Sequence, residues 1–151
     1  MKKSEFESIV TRTFRALEAR HGFKKGPTEF SQKGCTVQFL NTTTNVTLHY
    51  EIGGKPWLAI SDVRDADNKT TLDWLLVERG IDKAPTPADA FRPTILVGKD
   101  LATFLEEMNK QLLEYGTDLI KGDFSVMPVL QKRAKKYEQD CDRYMAIHKT
   151  K

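Results

Sequence analysis

The fold can be read from two stretches in which apolar and polar residues alternate, Cys35-Thr-Val-Gln-Phe-Leu40 and Asn45-Val-Thr-Leu-His-Tyr-Glu-Ile52. A period of two, with β-branched and aromatic residues, is typical of strands that are buried on one face. A third run extends from Trp57 to Val63, after Gly53-Gly-Lys-Pro56. Short links of this kind favour antiparallel neighbours. The centre of the chain is therefore predicted to be an antiparallel meander.

The segments on either side of these runs set the expected number of strands. A further strand is predicted near Phe23 to Phe30, although Gly26-Pro27 interrupts its pattern. Asp65-Ala-Asp-Asn68 has the composition of a turn and is assigned as one. The sequence therefore predicts three or four strands.

Helical periodicity precedes the strands. Residues Ser4 to His21 carry an apolar stripe at three- and four-residue spacing, and Gly22 follows as a natural end. Ser4-x-x-Glu7 has the capping-box pattern, in which two side chains satisfy backbone N–H groups at a helix start. One amphipathic helix is therefore expected before the sheet.

Helices are also predicted after the strands. Thr71 to Arg79 is assigned as a short helix, with a strand as the competing assignment. Residues 81–98 hold three prolines and no clear period, which indicates a long connection. Asp100 can cap the next helix, residues 101–115, whose apolar residues again form one stripe.

The last predicted helix starts near Ser125 and places Pro128 in its first turn, where a missing N–H is tolerated. Its apolar residues repeat with alternating steps of four and three, which is a heptad-like seam. The seam consists of Leu130, Ala134, Tyr137, Cys141, Tyr144 and His148. If the domain does not cover this seam, two chains could pair through it. A monomer and a homodimer through the C-terminal helix both remain open, and packing within the chain is favoured.

Length and composition indicate one α+β domain over residues 1–151. Hydrophobic residues make up 39% and charged residues 30%, which suits a globular domain. The only cysteines, Cys35 and Cys141, are far apart in sequence and favour a reducing compartment. The first residues lack the apolar core of a secretory signal, and no apolar run is long enough to span a bilayer. A cytoplasmic location without membrane contact is therefore expected.

The sequence contains no recognisable catalytic or metal-binding pattern. Histidine is the likeliest general base at neutral pH, but His21, His49 and His148 each lack a neighbouring nucleophile or carboxylate in a known arrangement. The Cys and His spacings of metal sites are absent. The chain is therefore expected not to be an enzyme, and no cofactor or metal is assigned.

Two surfaces are candidates for binding. Residues 123–151 hold seven Lys and Arg against four acids, so they account for the whole net charge of +3. The first candidate is this basic helix, which could contact phosphate or an acidic partner, or could simply be a solvated helix face. The second is the polar side of the sheet, where an exposed Trp would be a binding anchor and a buried one a core residue. The candidate side chains are Lys132, Arg133, Lys135, Lys136 and Arg143 on the helix, and His49 and Trp57 with Thr36, Gln38, Thr47 and Glu51 on the sheet.

The order of elements resembles that of a group of small bacterial proteins. The likeness covers the N-terminal helix, the strands 35–40 and 45–52, and a long helix that ends in Leu112-Leu-Glu-Tyr-Gly-Thr-Asp-Leu-Ile-Lys-Gly-Asp-Phe-Ser125. Some of these proteins are similar to immunity proteins of polymorphic toxin systems. The resemblance implies a non-enzymatic protein-binding module, such as an inhibitor. The alternative is a nucleic-acid-binding accessory protein that uses the basic C-terminal helix.

Overall fold

The computed structural model describes residues 2–52, 54–91 and 100–149. The strands, in chain order, are β1 (Lys24–Phe30), β2 (Gly34–Leu40), β3 (Thr44–Glu51), β4 (Trp57–Asp62) and β5 (Asp65–Thr71). The helices are α1 (Lys3–Thr13), α2 (Arg15–His21), α3 (Leu72–Glu78), α4 (Leu101–Tyr115), α5 (Thr117–Ile120) and α6 (Met127–Lys149), with a 3-10 helix at Pro87–Phe91.

The sheet is an antiparallel meander in which each strand pairs with the next one along the chain, in the order β1-β2-β3-β4-β5. Val37 lies opposite Leu48, and Val46 lies opposite Ile60, so apolar residues share one face across the central strands. The predicted α+β meander is confirmed, and so is the strand near Phe23 to Phe30, which is β1.

The sheet has five strands rather than three or four, because the segment assigned as a turn is part of β5. Asp65 begins this strand and pairs with Asp62 of β4. β5 lacks an alternating apolar pattern because Thr70 is its only buried residue. As an edge strand with a polar surface, it carries none of the apolar periodicity by which a half-buried strand is recognised.

The core lies on one face of this sheet. Aromatic contacts join the sheet to the first helices: Phe6 stacks on Tyr50 with ring centroids 5.8 Å apart, and Phe14 packs on Phe39 at 5.1 Å. Apolar residues from α3, α4 and α5 complete the same buried cluster. One continuous core therefore holds the described elements together, as expected for a single domain.

The N-terminal helix differs from its prediction in two respects. It is divided into α1 and α2 at Phe14, whose side chain is buried. The capping box is not formed, because the helix begins earlier, with Lys2 at the N-cap and no side-chain hydrogen bond there. Glu7 instead forms an ion pair with Lys25 of β1 at 2.9 Å. A tertiary contact has therefore replaced the local cap that the sequence suggests.

The later helices follow their predictions closely. The short helix after the sheet is α3, and α4 spans residues 101–115. The Asp100 carboxylate accepts a hydrogen bond from the Thr103 backbone N–H at 2.8 Å, which confirms the predicted cap. Pro128 lies in the first turn of α6. The predicted long connection is described up to residue 91, and its remainder, 92–98, lies outside the described residues.

A polar junction fastens the β2–β3 turn to the C-terminal end of α5. The Asn41 side-chain amide donates to the His21 and Ile120 carbonyl oxygens, at 3.2 and 3.1 Å. Its carbonyl oxygen accepts from the Thr43 and Thr44 backbone N–H groups, at 3.0 and 2.7 Å. The buried Thr44 hydroxyl donates to the Leu119 carbonyl oxygen at 2.6 Å. Side-chain bonds thus fix the turn to the ends of two helices, α2 and α5.

Helix α6 starts in the core and then leaves it. Met127 and Leu130 are fully buried, whereas the seam becomes half-buried at Tyr137 and Cys141 and exposed at His148. The Tyr137 ring meets Trp74 edge to face at 5.5 Å. The heptad-like seam is therefore covered by the domain at its beginning. Pairing of two chains through its later part stays a prediction that sedimentation can test.

Candidate binding groove

A groove of about 720 Å³ lies between the polar face of the sheet and one side of α6. We call it the sheet-face groove. Its floor comes from alternate positions of β2, β3, β4 and β5, because successive side chains of a strand point to opposite faces. The floor consists of uncharged, mostly polar side chains: Thr36, Gln38, Thr47, Ala59, Ser61 and Thr71.

Three aromatic residues line the groove together with this floor. His49 and Trp57 are direct cross-strand partners on β3 and β4. Their rings are stacked, with centroids 3.9 Å apart and an angle of 14° between the planes. Trp57 remains 39% exposed, so it is neither a core residue nor fully solvated. Trp74 of α3 is half-buried against Tyr137 and also borders the groove.

Helix α6 provides the remaining wall. Gln131, Ala134, Lys135 and Glu138 have the spacing i, i+3, i+4, i+7, so they share one side of the helix. The Gln131 amide donates to the Asp67 and Lys69 carbonyl oxygens of β5, at 3.0 and 3.2 Å. These bonds fix the wall to the sheet and occupy carbonyl groups that an edge strand would otherwise present to solvent.

The groove lining carries two negative and two positive side chains, all of them on β5 and α6. Asp67 and Lys69 of β5 and Lys135 and Glu138 of α6 are the four charged residues of its lining. Among the described residues, none of the four takes part in an ion pair. The groove therefore offers two carboxylates and two ammonium groups whose charges are not neutralised by direct partners within the described parts of the chain.

Burial lowers the pKa of His49 below its ordinary value of 6.5. Between the folded-state pKa of His49 and its ordinary value in the unfolded chain, the unfolded chain binds more protons than the folded chain. Stability that depends on neutral His49 is therefore present above pH 6.5 and lost as the pH falls through the folded-state pKa. The imidazole is neutral at pH 7 and does not compete for the groove carboxylates as a cation.

The stacked pair makes this titration measurable. A protonated imidazole quenches the fluorescence of an indole in contact with it, so we expect tryptophan emission to fall with a midpoint below pH 6.5 as the solution is acidified. His49→Gln should remove this step. A midpoint at or above 6.5, or a step that survives in His49→Gln, would contradict the assignment.

The basic residues predicted to form one surface are divided among three environments. Lys135 faces the groove, whereas Arg133 forms an ion pair with Glu78 at 2.7 Å. Lys132, Lys136 and Arg143 are exposed and lie outside the groove lining. Of the predicted sheet-face residues, His49 and Trp57 line the groove, together with Thr36, Gln38 and Thr47, while Glu51 is exposed and does not line it.

The sequence did not assign Asp67, Lys69, Trp74, Gln131 or Glu138 to a binding surface, although these residues line the groove. The spacing 131-134-135-138 was a usable signal, since it places three polar residues on the same helix side as the seam residue Ala134. The two β5 residues had no such signal, because their segment read as a turn.

Residues 2–52, 54–91 and 100–149 contain no group of three or more His, Cys, Asp or Glu side chains arranged to hold a metal ion. Within the same ranges, no helix combines the length and apolarity that crossing a membrane requires. The chain matches no protein-family model, no curated protein and no solved structure, so its function has to be inferred from the groove itself.

Proposed function

We propose that this chain is a non-enzymatic protein-binding module and that the sheet-face groove is its docking surface. The observation that carries the proposal is the make-up of the groove. Trp57 and Trp74 stand beside an uncharged floor of hydroxyl and amide groups, and the charged residues are confined to one side. Protein-binding surfaces share this arrangement, with aromatic anchors, adaptable polar contacts and charges away from the centre.

Trp57 is the expected anchor of the interface. Tryptophan is strongly enriched among the residues that contribute most to binding, because a large ring buries much surface at little cost in conformational entropy. The stack on His49 holds the indole in one orientation. A pre-ordered side chain loses less freedom when a partner docks, so more of the contact energy appears as affinity.

The partner is proposed to dock on the face of the sheet and not on its edges. Gln131 occupies two carbonyl groups of the β5 edge. At the other edge, the β1–β2 register is irregular between Lys25 and Thr28, where Pro27 has no N–H to donate. Neither edge strand therefore offers a regular row of free backbone groups with which a strand of the partner could pair. An inhibitor or immunity-type role, with a toxin as the partner, is one form that face docking could take.

Recovery of a partner from cells of the native host tests this proposal. We expect tagged wild-type protein to recover one stoichiometric partner, and Trp57→Ala to weaken that complex about 30-fold, which corresponds to about 2 kcal/mol at an interface anchor. Lys132→Ala is the matched control, because Lys132 is exposed on α6 outside the groove. Full retention by Trp57→Ala, or turnover of a small-molecule library by purified protein, would defeat the proposal.

Nucleic-acid binding through α6 is the alternative. Its support is the exposure of Lys132, Lys136 and Arg143, which spacings of four and seven residues place on one side of the helix. Asp140 lies close to this side, and three cations are few for a phosphate-binding surface. Retention of DNA or RNA at low salt that disappears steeply as salt is added would support this alternative.

A further inference from the structure

We propose that the partner segment entering the sheet-face groove presents an arginine, whose guanidinium lies on the indole of Trp57 and pairs with the groove carboxylate of Glu138. This inference rests on the proposed function and specifies the chemistry that the same groove recognises. It follows from two properties of the groove, an accessible indole and a carboxylate without an ion-pair partner among the described residues, and from the planar shape of the guanidinium.

The indole of Trp57 is available to a cation from outside the chain. His49 covers one face of the ring, and the residue nevertheless remains 39% exposed beside the groove. Cations are attracted to aromatic faces, and tryptophan is the strongest such acceptor. The chain's own cation–ring contacts within the described residues lie elsewhere, with Lys3 over Phe30 and Lys55 over Phe104.

The carboxylates of Asp67 and Glu138 line the same groove and form no ion pair with described residues. Lys69 and Lys135 balance their charge, so the groove has no net attraction for ions of one sign. The indole breaks this balance, because its negative face attracts cations and disfavours anions. A cation beside Trp57 can therefore gain from both the ring and a carboxylate, whereas an anion gains only from a lysine.

Arginine fits this environment better than lysine. Its guanidinium is planar and weakly hydrated, so it can stack on an indole while its N–H groups reach a carboxylate in two parallel bonds. A lysine ammonium is a compact, strongly hydrated charge that gains less from the ring. Lys69 and Lys135 would then pair with acidic side chains of the same partner segment. The partner segment would therefore carry both basic and acidic residues.

The chain supplies its own probe for this inference, because its two tryptophans, Trp57 and Trp74, both line the groove. We would titrate full-length protein with the blocked peptide acetyl-Gly-Ser-Arg-Ser-Gly-amide and record tryptophan emission. The comparison peptides carry lysine or citrulline in place of arginine, and citrulline keeps the shape of arginine without its charge. We expect a saturable change at millimolar arginine peptide and at least about tenfold weaker binding of the citrulline peptide.

Groove variants locate the binding. Trp57→Ala should weaken the arginine peptide about tenfold, with Trp74 as the remaining reporter. Glu138→Gln should weaken it by a similar factor. Lys132→Ala should leave it unchanged. If Trp57→Ala fails to fold by circular dichroism, Trp57→Phe replaces it and should bind severalfold more weakly, since phenylalanine is the poorer cation acceptor.

Equal binding of the arginine and citrulline peptides, or no saturable change with either, would overturn the arginine proposal. These outcomes are separate from a failure of the proposed function. If the peptide does not bind but Trp57→Ala still loses the cellular partner, the groove is a docking site for other chemistry. If the cellular partner is retained by Trp57→Ala, the docking proposal itself falls.

Discussion

Gly34→Ala is expected to lower the free energy of unfolding by about 3 kcal/mol or more. A Cβ atom at this position would overlap the Tyr50 carbonyl oxygen and lie 2.8 Å from the Glu51 Cα atom. Both obstacles are backbone atoms of β3, which pairs with β2 along its whole length. They cannot move aside as a flexible side chain would, so the strands must separate locally. Thermal or chemical denaturation would measure the loss.

Gly26→Ala is the matched control for this prediction. A Cβ atom there would meet the Gln38 carbonyl oxygen at 3.4 Å, which is ordinary van der Waals contact. The positive-φ glycines of the described chain are Gly22, Gly80 and Gly122, so neither Gly26 nor Gly34 adopts the left-handed conformation. A comparison of the two variants therefore measures the effect of steric overlap without a contribution from positive-φ strain. Gly26→Ala should stay within about 1 kcal/mol of wild type, and similar losses in both variants would contradict the overlap at Gly34.

Asn41→Ala is expected to destabilise the fold by about 3 kcal/mol. The substitution removes the three bonds that Oδ1 accepts from Thr43 and Thr44 and the two bonds that the amide donates to the His21 and Ile120 carbonyls. Each lost intramolecular hydrogen bond costs about 1 kcal/mol, and more where a buried partner is left unsatisfied. Denaturant titration would report the change. Hydrogen exchange should rise first in the turn and in α5, because these are the segments that the junction joins.

Asn45→Ala provides the control for Asn41→Ala. Asn45 lies four residues further along on β3, where its Oδ1 accepts a hydrogen bond from the Thr47 hydroxyl at 3.3 Å. The same chemical change should therefore cost less than about 1 kcal/mol there. A loss at Asn45 equal to the loss at Asn41 would show that asparagine content, and not the junction, determines the effect.

The sequence predicted those elements whose burial has a period. β2, β3, α3 and α4 each carry apolar residues on one face, and each was recognised from that pattern. The predictions that were wrong concern features without a periodic apolar pattern. β5 is an edge strand with a polar surface, and α1 begins at Lys3 without the predicted cap, while Glu7 pairs with Lys25 of β1. Neither feature produces a periodic pattern of apolar residues in the local sequence.

The groove could be predicted only in part, for a related reason. Alternation along β3 placed His49 on the polar face, with Trp57 near it as either an exposed anchor or a buried core residue. The structure shows both residues in the groove lining, with Trp57 exposed. The position of α6 beside that face could not be predicted, because it depends on tertiary contacts, among them the bonds from Gln131 to β5 and the ion pair of Arg133 with Glu78. A helix side with polar residues looks the same in sequence whether it faces water or a groove. The second wall of the site therefore had to come from the structure.

The bonds of Gln131 have a consequence for how this protein can change over time. One side chain both shields the β5 edge and holds the groove wall in position, so a replacement at this residue would affect solubility and recognition together. Ala134, Lys135 and Glu138 face the groove without any described bond to the sheet edge. Related chains could therefore vary these three positions to acquire new partners while the amide at 131 stays fixed, which separates the part of α6 that adapts from the part that maintains the fold.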